Sequence, residues 1–183
     1  MASEPWSWLS HPVNIRTARP DELPLLQHLE MAAGVLFANL GMTDVAEHPP
    51  PSLQVFEHFR QAGRLWVLTD TDDQVVGFVL VKLVDGAAHI EQVSVHPDHQ
   101  GHGLGRRLID HVDSWAAGQG MPALTLSTFR AVPWNGPYYA RLGFVELRTD
   151  ELTPGLTEIL AEEIAFGLDP AERIFMRRPV ARQ

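Results

Sequence analysis

The chain has 183 residues, 45 % of them apolar and 20 % charged, enough for a folded domain with a substantial core. A formal net charge of −9 argues against a broad basic nucleic-acid surface, and the lack of any cysteine excludes disulfides, thiolate metal sites and a catalytic thiol. No run is long enough for a membrane span, and the opening "MASEPWSWLSHPV" lacks the basic and apolar regions of a signal peptide, so a cytoplasmic setting is expected.

"VNIRTA" (13–18) alternates like a short strand. "RPDELPLLQHLEMAAGVLFANL" (19–40) has helical spacing, with Leu25, Leu29, Ala32, Leu36 and Leu40 as its apolar face and Pro24 near its regular start. "GMTDVAEHPPP" reads as a loop and "SLQVFEHFRQ" as a second helix that stops at Gly63. "RLWVLTD-TDDQ-VVGFVLVKLV" is a hairpin pattern, and residues 88–95, "AHIEQVSV", form a third strand of this group.

A glycine turn follows, inside "HPDHQGHGLGRRLIDH" (96–111). It leads into a helix with Leu104, Leu108, Val112 and Trp115 on one face, ending near Gly118 or Gly120. "ALTLST" (123–128) is a strand, and "NGPYYARL" a short helix with Asn135 as cap and Pro137 in the first turn. Gly143 ends it, "FVELR" follows as a strand, "GLTEILAEEIAF" as a helix and "ERIFMRRPV" as the last strand. The order β-α-α-β-β-β-α-β-α-β-α-β predicts an α/β fold of mixed type. It has a largely antiparallel central sheet of about seven strands flanked by helices, in a single domain over 1–183 with a flexible N-terminal extension at 1–12.

The three glycines at 101, 103 and 105 stand just before a helix. Such a turn presents unpaired backbone N–H groups at the positive end of a helix dipole, the ingredients of an anion site. The alternative is a tight strand–helix connection with spare glycines. A Walker A loop is excluded because no Lys follows, and the Rossmann spacing fails at Arg106 and at Leu108.

"QGHGLG" (100–105) resembles the Gln/Arg-x-x-Gly-x-Gly/Ala signature of the GNAT superfamily of N-acetyltransferases, and "YYARLGF" (138–144) resembles its later Tyr-x-x-x-Gly-Phe motif. The resemblance extends over about residues 13–178 and implies the GNAT fold. It also implies acetyl transfer from acetyl-CoA to an amine, without a metal. By matching positions, Gln100, Gly101, His102, Gly103, Leu104, Gly105 and Arg106 would cradle the pyrophosphate, with Gly103 and Gly105 the tightest positions. Val93 and Val95 would offer backbone groups to the pantetheine arm. Asn135 is a helix cap first and a CoA contact second, because the family's Asn stands seven residues before the tyrosine, where this chain has Val132.

An alkylammonium, with a pKa near ~10, must lose a proton before it attacks, and the departing thiolate needs one. Without a cysteine, direct attack in a ternary complex is the simplest route. Tyr139, four residues before Gly143, is where the family often places the thiolate's acid, and Tyr138 is the second choice. Against this, an aromatic there also packs a helix onto a sheet. Glu91 is the only carboxylate of its strand, and relatives often keep a base near it; the plainer alternative is a solvent-facing strand residue. Glu30 is a further candidate for binding the amine or an exposed helix charge, and Arg130 borders the expected acceptor region. His96, His99 and His102 lie in a turn without a completing Glu or Cys, so no metal site is expected.

The acceptor is expected to be a small-molecule amine, with a protein N-terminus or lysine as the alternative. A non-catalytic acyl-CoA-binding module is the rival of a different class. The expected partners are acetyl-CoA and the amine, with no nucleic acid and no membrane. A homodimer stays open, since dimers are common among GNAT proteins.

Overall fold

The computed structural model describes residues 13–181, so the expected extension at 1–12 lies outside the described residues. Seven strands form one mixed sheet: β1 (Asn14–Thr17), β2 (Leu65–Thr69), β3 (Val75–Val84), β4 (Ala87–Val95), β5 (Ala123–Phe129), β6 (Val145–Glu146) and β7 (Arg173–Pro179). Their order is β1-β2-β3-β4-β5-β7-β6. β4 and β5 run parallel, with Ala88 opposite Leu124 and Ile90 opposite Leu126. The β1–β2, β2–β3, β5–β7 and β6–β7 pairs are antiparallel. Six helices accompany the sheet: α1 (Leu23–Ala38), α2 (Thr43–Ala46), α3 (Leu53–Gln61), α4 (Leu104–Gly118), α5 (Gly136–Arg141) and α6 (Pro154–Ala165). The expected mixed, largely antiparallel seven-stranded sheet is the one observed.

The chain forms two compact units. The first runs to Leu80 and takes in Gln92–Ile109; the second holds Val81–Glu91 and Asp110 onward. In the first unit, Leu23, Leu26 and Leu29 of α1 pack with Phe56 and Phe59 of α3 over Leu65, Val67, Phe78 and Leu80 of the sheet. The Phe56 and Phe78 rings meet edge to face, centroids 5.5 Å apart. The β2–β3 turn closes on Asp70, whose carboxylate accepts from the Asp72 and Gln74 amides at 2.9 Å each. Asp73 adopts φ +58° at the turn and pairs with Arg16 and Arg19, tying β1 to the hairpin.

Three expectations shift. In α1 the buried face is Leu23, Leu26 and Leu29, whereas Leu25 and Leu40 are exposed. The segment is apolar on nearly every side, so spacing alone does not choose its face. A 3₁₀ turn at Pro20–Glu22 also precedes the helix. The expected loop at 41–51 contains α2, closed by the Glu47 amide on the Thr43 carbonyl at 2.9 Å. The strand expected from "FVELR" shrinks to two residues, because Phe144 is buried before β6 begins and Arg148 leads into another 3₁₀ turn.

The second unit buries His89 of β4 against Thr125 of β5, Nδ1 to Oγ1 at 2.9 Å. Burial, helped by the charge of Lys82, pushes this imidazole down to about 4. The unfolded chain takes up the proton near pH 6.5, which the folded protein refuses until about pH 4. Stability should therefore fall as pH drops through that window, by about 2–3 kcal/mol between pH 7 and 4.5. His89→Gln should lose this part of the slope, as read by urea denaturation of both proteins at the two pH values. Identical pH slopes would remove His89 from the acid response.

Candidate active site

In the first unit, β4 runs into a 3₁₀ turn at Pro97–His99, then the glycine turn, then α4. Gly101 and Gly103 both adopt left-handed backbone, φ +78° and +73°, a conformation that side chains disfavour. A Cβ added at either would meet no atom within 4 Å, so the space beside the turn is open. Gly105 is different: it is the second residue of α4 and lies in ordinary helix. The positive-φ pair is thus 101/103 rather than the 103/105 pair singled out from the sequence.

The helix opens with the Arg107 amide bonding the Gly103 carbonyl at 3.1 Å. The amides of Gly103, Leu104 and Gly105 come before it and have no carbonyl partner within the helix. The turn is steadied from behind: the Gln100 side-chain amide donates to the Val95 carbonyl at 3.3 Å, and the His96 amide to the Val76 carbonyl at 2.9 Å. His96 Nδ1 accepts from the Asp98 amide at 3.3 Å. Among the described residues, no group of three or more His, Asp or Glu is placed to hold a metal ion. Arg106 and Arg107 are exposed in the first turn of α4. A turn of this form suits a phosphate anion, approached by backbone amides from the positive end of a helix dipole.

The same unit contains a polar cluster that the sequence did not mark. Glu30, near the middle of α1, is half-buried. Gln92 donates to its Oε1 at 2.7 Å, and the Ser94 hydroxyl donates to its Oε2. Gln92 also reaches Ser94 Oγ at 3.3 Å. Ser94 is 6 % exposed and lies on β4 between Val93 and Val95. Burial raises the Glu30 carboxyl above the ordinary range, while the two hydrogen bonds pull it back.

In the second unit, α5 starts just after Asn135. The expected side-chain cap is not made: Asn135 occupies the cap position with φ −114° and ψ −112°, and its carbonyl accepts from the Tyr139 amide at 2.9 Å. Val132 is buried core, and its carbonyl takes the Asn135 amide at 2.9 Å. A Cβ on Gly136 would lie 2.6 Å from the Arg130 carbonyl oxygen, so only glycine permits this approach of α5 to the end of β5.

Tyr139 is buried, its ring 5.8 Å from Phe144 and 5.4 Å from Tyr138, both edge to face. Burial, with Tyr138 beside it, pushes the phenol above its ordinary value against an opposing pull from Arg173. It therefore keeps its proton across the neutral range. Arg178 of β7 fixes the turn after α5: it donates to the Leu142 carbonyl at 3.0 Å, pairs with Asp113 at 3.2 Å and lies 5.0 Å over the Phe144 ring.

Glu91 is exposed and ion-paired with Lys82 of β3 at 2.8 Å. Arg130 pairs with Glu146 at 2.8 Å, both exposed. Ser94, Gln92, Arg178, Lys82 and Gly136 were missed by sequence reasoning. Of these only Gly136, in an Asn-Gly pair before a helix, carried a local signal.

The model of the acetyltransferase (GNAT) family matches residues 28–144, a span that holds the glycine turn and the Tyr139–Phe144 stretch. The chain belongs to the GNAT family. It is 29 % identical over 99 residues to the peptidyl-lysine N-acetyltransferase YjaB of Escherichia coli, a match covering 54 % of this chain and 61 % of that one. The Salmonella typhimurium protein of the same name is 26 % identical over 91 residues, 50 % of this chain and 57 % of that one. The chain thus spans about three fifths of the length of the curated relatives it matches.

Among solved structures, a GNAT-family acetyltransferase from Staphylococcus aureus superposes with a TM-score of 0.71 at 16 % identity, covering 93 % of this chain and 100 % of that one. The PaiA N-acetyltransferase of Thermoplasma acidophilum, solved with coenzyme A, gives 0.64 at 13 % identity over 92 % and 99 %. These likenesses agree on the fold. Among the described residues no helix is long and apolar enough to cross a membrane.

Gly103→Glu places a bulky anion in the open space beside the turn. Acetyl-CoA binding should fall by at least about 100-fold, while the left-handed backbone at Gly103 makes the side chain cost about 1–2 kcal/mol of stability, a modest drop in the thermal melt. Calorimetric titration checks it, and an unchanged CoA affinity would remove the turn from the site.

Proposed function

We propose that this chain is an acetyl-CoA-dependent N-acetyltransferase that passes the acetyl group directly to an amine. The observation that carries the reading is the glycine turn of a GNAT-family chain, with left-handed Gly101 and Gly103 opening α4 onto free space. Acetyl-CoA fits that turn chemically: its pyrophosphate is the anion, and the amides of Gly101 through Arg106 are the donors. Val93 and Val95 of β4 serve the pantetheine arm through their backbone.

The chain contains no cysteine, so no cysteine acyl-enzyme forms. The amine nitrogen attacks the acetyl carbonyl carbon, the carbon–sulfur bond breaks and the thiolate leaves. Tyr139 is the proposed donor of the thiolate's proton; a buried, neutral phenol is suited to holding that proton until sulfur becomes basic. The amine arrives as a cation and gives a proton to a carboxylate. Glu91 is the proton acceptor expected from the sequence, and its Oε1 is ion-paired with Lys82. The acceptor is proposed to be a small amine, with protein lysine the second choice, prompted by the peptidyl-lysine acetyltransferases it resembles.

The experiment that tests the activity is CoA release from acetyl-CoA with spermidine, benzylamine and a lysine-containing peptide. A thiol reagent reports CoA alone, since the protein has no thiol of its own. Turnover with any of them supports the reading. Tight CoA binding with no turnover on a wide amine panel points to a binding module instead.

Tyr139→Phe keeps the ring and removes the proton. It should lower kcat by about 10²–10⁴-fold while KM for acetyl-CoA moves little. A purely packing role predicts the reverse, an active Phe variant and a badly destabilised Tyr139→Ala. Steady-state kinetics and thermal melts of both variants separate the two cases.

A further inference from the structure

The chain has two carboxylates near β4, and their surroundings differ in kind. Glu91 is exposed and bound to an ammonium, Lys82, at 2.8 Å. An incoming ammonium would have to displace Lys82 to reach it. Glu30 faces no cation in the described structure. Its two oxygens are gripped by one neutral donor each, the Gln92 amide and the Ser94 hydroxyl. Those donors fix the direction of the carboxylate without neutralising its charge, and they come from the strand that leads into the glycine turn.

A half-buried negative charge without a cationic partner is costly. The cost is offset when a cation arrives beside it. An alkylammonium is such a cation, and it carries the proton that must be removed before attack.

We propose that Glu30, aimed by Ser94 and Gln92, is the residue that receives the acceptor's ammonium group and takes its proton. The inference rests on the acetyl-transfer reading above. In the step, one N–H bond of the ammonium breaks and a Glu30 O–H bond forms. The nitrogen lone pair then forms the N–C bond as the C–S bond breaks. The thiolate takes its proton from the donor proposed above. The nitrogen's second proton, shed as the adduct collapses, and the one on Glu30 pass to solvent, which restores the donor's own.

Ser94 and Gln92 are positioning residues. The burial that raises Glu30 makes it a better base than a free carboxylate, and no charged side chain contributes to that shift.

The test uses the full chain, acetyl-CoA and the amine panel named above, with kcat measured from pH 5.5 to 9. Glu30→Gln should lower kcat by about 10²–10⁴-fold, abolish the acidic limb of the profile and leave acetyl-CoA affinity by calorimetry unchanged. Glu30→Asp, which keeps the carboxylate, should restore part of the rate and the limb. Ser94→Ala removes a hydrogen bond to the anion, so the limb should move to higher pH by about one unit. A merely structural role would change melting temperature in these variants and leave the pH profile in place.

Two results would overturn the proposal alone: Glu30→Gln within threefold of the wild type on an amine the wild type acetylates, or an acidic limb that persists in Glu30→Gln and vanishes in Glu91→Gln. A wild type inert on every amine would instead overturn the acetyl-transfer reading, and this inference with it.

Discussion

Backbone amides at the start of a helix have no carbonyl partner within it, and α4 presents that start directly after a glycine turn. The chain leaves β4, passes twice through left-handed backbone at Gly101 and Gly103, and enters the helix with its first amides unpaired inside it. Any residue with a Cβ at those positions is strained in that conformation. Capping by a side chain would satisfy the amides and close the site. Here the neighbouring polar side chains bond elsewhere: Gln100 to the Val95 carbonyl, His96 to the Asp98 amide. The ligand chemistry proposed for this protein depends on the first amides of α4 meeting an anion.

In the second unit, order is imposed by arginines on β7. Arg173 is clamped by Glu163 at 2.6 Å, reaches Ser127 and lies 4.6 Å over the Phe129 ring. Arg178 joins the Leu142 carbonyl, Asp113 and the Phe144 ring. Both side chains are largely sheltered, at 11 % and 16 % exposure, so removing either partner would strand a poorly solvated charge. The turn that follows α5 is held on its backbone by one of them. Tyr139 owes its orientation to this packing and to the tight approach at Gly136.

The two carboxylates show how environment divides one chemistry into two roles. Glu91 meets Lys82 at the surface, where an ion pair contributes little to stability but keeps the anion satisfied. Glu30 is partly withdrawn from water and receives only neutral donors. No charged side chain offsets that burial. That contrast is electrostatic, and neither residue type nor position along the chain expresses it.

The sequence by itself determined the order and type of the elements. Periodicity of two and of about 3.6 survives without knowledge of partners, and glycines at 101 and 103 are demanded by local backbone geometry. The family was readable for the same reason, since its motifs are written in contiguous stretches. What tertiary structure alone decided is everything that depends on a partner distant along the chain. α1 is apolar nearly all round, so only its packing on Phe56 and Phe78 selects Leu23, Leu26 and Leu29 as the buried face. Asn135 occupies a cap position, yet its side chain makes no cap bond. Glu30 and Ser94 lie 64 residues apart, and Lys82 and Glu91 meet only through the sheet. Burial and pairing set the proton affinity of a carboxylate, and both arise from contacts that exist only once the chain has folded.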